Sequence, residues 1–437
     1  MTDPGPAPGL LVAPANPVRE GVLARLRRDA ILLVLALRAH TPLEMARYAW
    51  RHTRFHRQHY GAEPTDFPAL PLVTRDLLTA GDPYDLLSEE LSGAISAYAQ
   101  TSGTSGGAPV PFFLTESTML GARWLARVSP WHTLLEEVLE RNRAAVVGLP
   151  PGLSPFSPWF GDFLKAQGAV VGTVDPGRPQ LCAQTLGRLR PGLLVARLAD
   201  FLAWMWLLQT RWPQLAGAVR QHLRVLLLHG EVCAESQRGR LEREFGLTVV
   251  DVYASGEGFF AVPCPCGFQH VPPTYLVELA DEQGRVVGRS GSGRLVFTNL
   301  ARRSTPMVRY LLDDWVSLGE GPRCPYGYAG QLTVHGRWRD TVLTGGRRLA
   351  VRQVAGVLFA QGLFGDFRVR VGETRATVQA EIFSAPPPPA AIADAFTREL
   401  GLPTSVELVP FGTLTPLAGP QETPAAARLA ALPAEVA

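Results

Sequence analysis

Lysine is almost missing from this chain of 437 residues: 41 of its 42 basic residues are arginine, and Lys165 is the exception. An excess of Arg, Ala, Pro and Gly of this kind follows from a G+C-rich genome. The bias still matters chemically, because the compact point charge of an ammonium is not reproduced by a planar guanidinium. The net charge is only +3 and no Lys/Arg block is present, which argues against a nucleic-acid face. Five cysteines in so long a chain do not make a secreted disulfide framework. Long apolar runs are also lacking. Ala30–Leu37 and Phe201–Leu208 reach eight residues each, against the roughly 18 or more that a bilayer requires. Met1 to Pro17 has no basic stretch leading into an apolar one, so it does not read as a signal peptide. The expectation is a soluble, cytoplasmic protein that binds neither membrane nor nucleic acid.

What is present is an alternation of periodicities. Residues 18–60 read as helical. From about residue 100, β-type runs at Ala144–Leu149, Ala169–Val174, Leu193–Ala196, Val225–His229 and Leu247–Tyr253 alternate with amphipathic stretches. Cys233 to Phe245 carries charges at helical spacing and stops at Gly246, completing a β-α-β unit. Several such units in series imply a parallel sheet covered by helices. After about residue 272 the texture becomes short strands and Gly-rich turns, with Tyr275–Ala280, Arg294–Thr298 and Gln331–His335 as the strands, predicting a smaller antiparallel region. Beyond Gly336, strands at Phe367–Val371 and Ala376–Phe383, a linker at Pro386–Pro389, a helix at Ala390–Leu400 and a strand at Thr404–Val409 predict a small α+β unit. No internal repeat is visible.

The segment Thr101-Ser102-Gly103-Thr104-Ser105-Gly106-Gly107-Ala108-Pro109 has the composition of a phosphate grip. Small residues let backbone N–H groups surround an anion, and the hydroxyls add donors. It lacks the Lys-Ser/Thr ending of a Walker loop. Taken alone, the same composition also suits a flexible linker, although it lies between structured segments.

Four further segments follow in order: Leu228-His229-Gly230-Glu231; Tyr253-Ala254-Ser255-Gly256-Glu257; Pro306-Met307-Val308-Arg309-Tyr310 with Asp313 and Asp314; and Gly336-Arg337-Trp338-Arg339-Asp340. With the loop, these make the chain resemble the acyl-adenylate-forming superfamily over about residues 85 to 420, and within it the phenylacetate–CoA ligase and coenzyme F390 synthetase branch. The resemblance implies an α/β fold. A large N-terminal domain (1–335) would carry parallel sheets and a β-barrel-like subdomain (about 272–335), followed by a small mobile α+β C-terminal domain (336–437). It implies that Thr101, Ser102, Gly103, Thr104, Ser105 and Gly106 hold the β- and γ-phosphates of ATP, with Glu231 beside the adenine and Tyr253 stacked on it. Glu257 would bind Mg²⁺, Asp314 the ribose hydroxyls, and Arg337 the ribose or a phosphate. Glu257, Arg309 and Arg337 would be catalytic, and Arg339 or Asp340 would mark the hinge of the C-terminal domain. Trp124, Trp159, Phe160 and Phe259 are aromatic candidates for an acyl pocket, or core.

Two departures from the family pattern stand out. Gly256 replaces a threonine. Pro420, in Gly412-Thr413-Leu414-Thr415-Pro416-Leu417-Ala418-Gly419-Pro420, stands where relatives carry a lysine that contacts the α-phosphate and the carboxylate. No lysine lies anywhere in the C-terminal domain, and Arg428 would be a poor substitute.

Cys264-Pro265-Cys266-Gly267-Phe268-Gln269-His270 and Cys324 make a Cys₃His set, the closed ligand set of structural zinc. Many relatives carry such clusters at these two places. The other reading is reduced cysteines in a turn. Cys182 and Cys233 read as core.

Two functions remain open. One is an AMP-forming ligase that activates a carboxylic acid, aryl or otherwise, and passes it to a thiol, coenzyme A or that of a carrier protein, or to an amine. The other is a catalytically reduced relative that binds nucleotide or acyl-adenylate as a partner or sensor. A homodimer is the default oligomer.

Overall fold

The computed structural model describes residues 21–101, 108–152, 155–319, 323–344, 346–414 and 429–431. The N-terminal helical run is three helices, α1 (Val22–Arg38), α2 (Pro42–His52) and α3 (Arg54–Tyr60). Two threonines divide it. Thr41 and Thr53 are extended, and their hydroxyls accept from the backbone N–H of Glu44 and His56, satisfying donors that a helix start leaves unpaired. After α4 (Arg75–Thr79), β1 (Ile95–Gln100) and β2 (Pro111–Thr115) pair antiparallel. The Ser/Thr/Gly loop connects them, which places it on a hairpin rather than in a linker.

There follow α5 (Glu116–Arg127), α6 (Trp131–Arg141), β3 (Ala144–Gly148), α7 (Phe156–Ala166), β4 (Val170–Thr173), α8 (Pro179–Leu189), β5 (Leu193–Ala196), α9 (Leu198–Arg211), α10 (Pro213–His222), β6 (Val225–His229), α11 (Glu235–Phe245) and β7 (Thr248–Val252). The five strands form a parallel sheet in the order β4-β3-β5-β6-β7. Alternate residues feed opposite cores. Leu194, Leu226 and Val249 join one cluster, and Leu193, Leu227 and Val250 the other. A sheet covered on both faces needs such continuous apolar strands.

The chain then builds β8 (Val262–Pro263), β9 (Gln269–His270), β10 (Tyr275–Ala280), β11 (Val286–Gly288), β12 (Gly291–Asn299), β13 (Tyr310–Gly319) and β14 (Gln331–Arg337). These make a seven-stranded sheet, β11-β10-β12-β13-β14-β9-β8. It begins before residue 272, because the Cys264–His270 turn folds back as its edge.

The C-terminal small domain contains β15 (Val342–Thr344), β16 (Arg347–Leu349), α12 (Val351–Ala360), β17 (Phe367–Val371), β18 (Ala376–Ile382), α13 (Pro389–Leu400), β19 (Thr404–Pro410) and β20 (Leu429–Ala431). The β-β-α-β unit read from the sequence is β17, β18, α13 and β19, and β20 adds a parallel edge. The core of this domain is continuous with the covering of the parallel sheet. Phe364 is fully buried, and its ring lies 5.7 Å from Phe359, 6.0 Å from Phe383 and 6.3 Å from Phe245 of α11. Among the described residues no helix is long and apolar enough to cross a membrane.

Emptying the Phe364 position leaves a large void with rigid walls. Phe364→Ala is expected to cost about 3–5 kcal/mol, measured as a shift of the urea midpoint at unchanged slope.

Candidate active site

Strands β6 and β7 lie side by side. The loops leaving their carboxyl ends carry Gly230-Glu231 and Tyr253 to Glu257. That edge is where open α/β sheets bind ligands. Ser255 and Gly258 exchange backbone hydrogen bonds of 3.0 and 2.9 Å, so Glu257 sits in a closed turn. Its side chain is buried, 5 % exposed. Ser255 Oγ donates to Glu257 Oε2, and the Tyr310 hydroxyl donates to Oε1 at 3.3 Å. Among the described residues no cation lies within ion-pair distance of it. A buried carboxylate with hydroxyl donors but no cation is a fitting ligand for a hard divalent ion.

Beside it stands a second cluster. Asp314 in β13 faces Arg337 in β14 across the antiparallel ladder. Its Oδ1 is 3.2 Å from Arg337 Nη1, and its Oδ2 accepts from the Tyr253 hydroxyl at 2.7 Å. Burial, and then the Asp314 charge, push the Tyr253 phenol well above its ordinary range. Asp314 likewise raises Arg337. At neutral pH Tyr253 therefore stays a donor and Arg337 stays charged. The Glu257 charge also acts on both groups, so the two clusters form one electrostatic unit.

The stem of the Ser/Thr/Gly loop packs against this unit. Thr101 N donates to Val110 O at 3.0 Å, and Val110 N donates to Thr101 Oγ1 at 2.9 Å. Arg75 of α4 holds the other side, with Nε and Nη2 on Ala108 O at 3.1 and 2.9 Å. Ser102, Gly103, Thr104, Ser105 and Gly106 lie outside the described residues. A Cβ at Gly256 would stand 2.8 Å from Thr101 Cγ2 and 3.1 Å from Thr101 Cα. The absence of a side chain at Gly256 thus lets this turn approach the loop stem at Thr101.

The structure does not bring Arg309 to this cluster. Arg309 lies just before β13, and while its neighbour Tyr310 faces Glu257, its own side chain meets different partners. Its Nη1 donates to the carbonyls of Pro68 and Leu70 at 2.5 and 2.7 Å, and its Nε lies 3.3 Å from Glu278 Oε2. It clamps the N-terminal segment to the antiparallel sheet. Its φ of 49° is uncommon for a side chain of this size. Glu231 is half-buried at the sheet edge, and its charge helps raise Asp200 after burial has done most of that. Arg339 Nε lies 3.3 Å from Asp313 and 3.9 Å from Asp340, in the turn that leads into the C-terminal domain. Lys165 lies on α7, 63 % exposed and 3.9 Å from Asp162. Pro420 and Arg428 fall outside the described residues.

A cavity of about 610 Å³ opens beside Ser255 and Gly256. Trp124, Trp159 and Phe259 line it, joined by Leu114, Leu120 and Phe156. Phe160 does not line it. Its ring packs against Trp159 at 4.9 Å and His229 at 5.7 Å, and burial there lowers His229 to about 4. Two contributors carried no signal in the sequence: α1, whose Leu35 and Arg38 reach the cavity, and Arg302. Arg75 was equally unmarked, because its role appears only through the carbonyl it meets.

Away from the cavity, the ligand atoms of Cys264, Cys266, His270 and Cys324 all lie within 4.8 Å of one another. A tetrahedral zinc with Zn–S of about 2.3 Å would draw such atoms to roughly 3.5–4 Å apart. His270 is fully buried, its Nδ1 is 2.6 Å from Gly330 O, and its Nε2 is 3.3 Å from Cys266 Sγ. A carbonyl only accepts, so the proton is on Nδ1 and Nε2 is the free ligand atom, the orientation a metal-binding imidazole needs. Cys182 and Cys233 are buried elsewhere, as core.

Any Cβ at position 256 meets the loop stem. Gly256→Ala is therefore expected to destabilise the protein by about 1–3 kcal/mol, read by denaturant unfolding. An unaltered midpoint would mean that the stem yields freely.

No family model matches the chain. Over 301 residues it is 24 % identical to a phenylacetate-coenzyme A ligase of Escherichia coli (strain K12), a match that takes in 63 % of this chain and spans 65 % of that ligase's length. Among solved structures, 2-hydroxyisobutyryl-CoA ligase in its postadenylation state with 2-HIB-AMP superposes with a TM-score of 0.69 at 19 % identity, over 99 % of this chain and 96 % of that one. The same ligase in its thioesterification state, with 2-HIB-AMP and CoA, gives 0.55 at 20 % identity, over 99 % and 96 %. An acyl acid amido synthetase in complex with 2,4-DB gives 0.61 at 14 % identity, over 98 % and 96 %. The chain therefore has the fold of the acyl-adenylate-forming ligases and is similar in sequence to a phenylacetate–CoA ligase.

Proposed function

We propose that this protein is an AMP-forming ligase that joins a carboxylic acid to a thiol, coenzyme A being favoured over a carrier-protein thiol. The observation that carries this reading is the convergence of Tyr253, Asp314 and Arg337 beside the buried Glu257, which has no ion-pair partner among the described residues, with the stem of a Ser/Thr/Gly loop packed on the same turn. The solved neighbours support it, since 2-hydroxyisobutyryl-CoA ligase carries an acyl-AMP and CoA. Residues 101–109 grip the β- and γ-phosphates. Tyr253 and Glu231 flank the adenine, and Asp314 accepts from the ribose hydroxyls. Arg337, with N–H groups to spare, reaches the ribose or a phosphate. Glu257, held by Ser255 and Tyr310, takes Mg²⁺, which would neutralise charge on the phosphates. The carboxylate attacks the α-phosphorus, pyrophosphate leaves, and the thiol then attacks the acyl carbon and releases AMP. Such chemistry rests on positioning and electrostatic stabilisation, and these residue types supply both. Arg309 has a positioning role, through the segment it clamps. The turn at 338–340 is the hinge on which the unit from 336 onward swings between half-reactions.

A second reading has one observation in its favour. The only lysine of the chain lies exposed on α7, so no ammonium can stand where the C-terminal lysine of relatives would act. Loss of one such group costs about 10²–10³ in rate. The ligase is accordingly slow at adenylation, or the protein binds nucleotide or acyl-adenylate as a partner or sensor.

ATP–pyrophosphate exchange with a panel of carboxylic acids separates the two. Exchange with any acid is the expected result, and ATP binding without exchange would leave the sensor. Glu257→Gln should lower exchange by at least about 10²-fold; undiminished exchange would remove Glu257 from the metal site.

We also assign Cys264, Cys266, His270 and Cys324 to a structural zinc, since all four positions are protein ligands. Elemental analysis is expected to find one zinc per chain, with Cys324→Ser losing it and lowering the melting temperature. A metal-free wild-type protein of equal stability would overturn the assignment.

A further inference from the structure

Arg302 is a buried cation on which the Glu257 charge acts only from beyond ion-pair distance. It is 7 % exposed and lies between β12 and β13. Its backbone N donates to Asn299 Oδ1 at 2.8 Å, its Nε donates to Thr305 O at 3.3 Å, and its guanidinium lies 5.1 Å from the centre of the Phe112 ring. Nη2 is buried and has no hydrogen-bond partner. Among the described residues no carboxylate stands within ion-pair distance. The other arginines of this region are engaged or open to water: Arg303 faces Glu90 at 3.8 Å, Arg309 faces Glu278, and Arg38 is exposed. An unmet N–H on a buried charged group costs more than the roughly 1–3 kcal/mol of a neutral one, and groups left in that state call for an explanation such as a ligand.

The cavity supplies one. Arg302 lines it together with Ser255, Gly256, Gly258, Tyr275 and Asn299; its apolar wall includes Leu114, Leu120, Trp124, Phe156, Trp159 and Phe259, and Arg38, His40 and Arg303 line it as well. Its volume of about 610 Å³ lies within the roughly 300–1,000 Å³ of small-molecule sites. A largely apolar chamber whose one buried guanidinium is Arg302, with Arg38 and Arg303 lining it in more exposed positions, is the complement of an organic anion with an apolar body. The planar fork of arginine suits a carboxylate in particular, which it can bind through two parallel hydrogen bonds.

We propose that Arg302 binds the carboxylate of the acid substrate, whose apolar body lies among Trp124, Trp159 and Phe259. The assignment deepens the ligase reading, because it gives the adenylation site a fixed cation for the carboxylate in a chain without the C-terminal lysine. It concerns the acid alone, so it is tested without ATP.

Isothermal titration of the full-length protein with phenylacetate, 3-phenylpropanoate and 2-naphthoate, each beside its primary amide, reads the contact directly. The wild type is expected to bind at least one acid about 10–100-fold more tightly than its amide, the worth of a charge-assisted hydrogen bond. Arg302→Gln should abolish that preference while leaving amide affinity within about twofold, which shows that the cavity is still folded, since the amide has no charge to lose. Arg302→Lys, which keeps the charge but not the fork, should retain part of the preference, and it serves if the glutamine variant does not fold. A preference that survives in the folded Arg302→Gln protein overturns the proposal, as does a wild type that prefers none of the three acids. Pyrophosphate exchange is read separately. Its absence with the acid preference intact would remove the ligase and leave Arg302 in its role. Exchange that persists with no effect at Arg302 would do the reverse.

Discussion

The site depends on the pairing of Asp314 with Arg337 across β13 and β14. It is a cross-strand ion pair whose second carboxylate oxygen is taken by Tyr253, a residue at the end of the parallel sheet. One carboxylate thus joins the two sheets, and it does so immediately before the turn that leads into the C-terminal domain. The Glu257 turn, the loop stem at Thr101 and the edge of the cavity all lie within reach of that junction. A half-buried ion pair of this kind contributes little net stability. Its contribution is registration: it fixes which faces of the two sheets look at each other.

The arginines divide by the same accounting of charge. Arg309 is as buried as Arg302, yet Glu278 and several carbonyls meet its fork, so it serves as a fastening. Arg302 has no acid partner among the described residues and faces a chamber. Two buried guanidiniums seven residues apart therefore have opposite meanings, which composition could not distinguish and partner geometry can.

Much of the fold was legible in the sequence because its signals are local. The parallel strands are unbroken apolar runs, α11 stops at a left-handed Gly246, and strands such as Leu193–Ala196 and Phe367–Val371 fall where their patterns put them. The division of residues 18–60 by Thr41 and Thr53 was less visible, since a threonine caps a helix only through the conformation it adopts. Helix α12 is short and largely apolar, and it offered no polar face to mark it. The site was legible where motifs carry it: Tyr253, Glu257, Asp314 and Arg337 do converge. Arg309 shows the limit of motif reading, because adjacent positions of one motif meet different partners: Tyr310 meets Glu257, and Arg309 meets Glu278. Arg75, Arg302 and the contribution of α1 to the cavity arise from contacts between distant segments, and no local pattern encodes those.

The position of Lys165 has a last consequence. On the ligase reading, the cavity holds a mixed anhydride, a species that acylates amines. Lysine is among the commonest residues of soluble proteins, so ammonium side chains ordinarily lie on every face. Here arginine has taken nearly all of those places, and guanidinium is a far weaker nucleophile because it stays protonated at any pH the fold survives. The chain offers an escaping acyl-adenylate a single side-chain amine, on the outer surface of α7 and paired with Asp162. On that reading, a composition almost without lysine leaves the intermediate few amines to acylate.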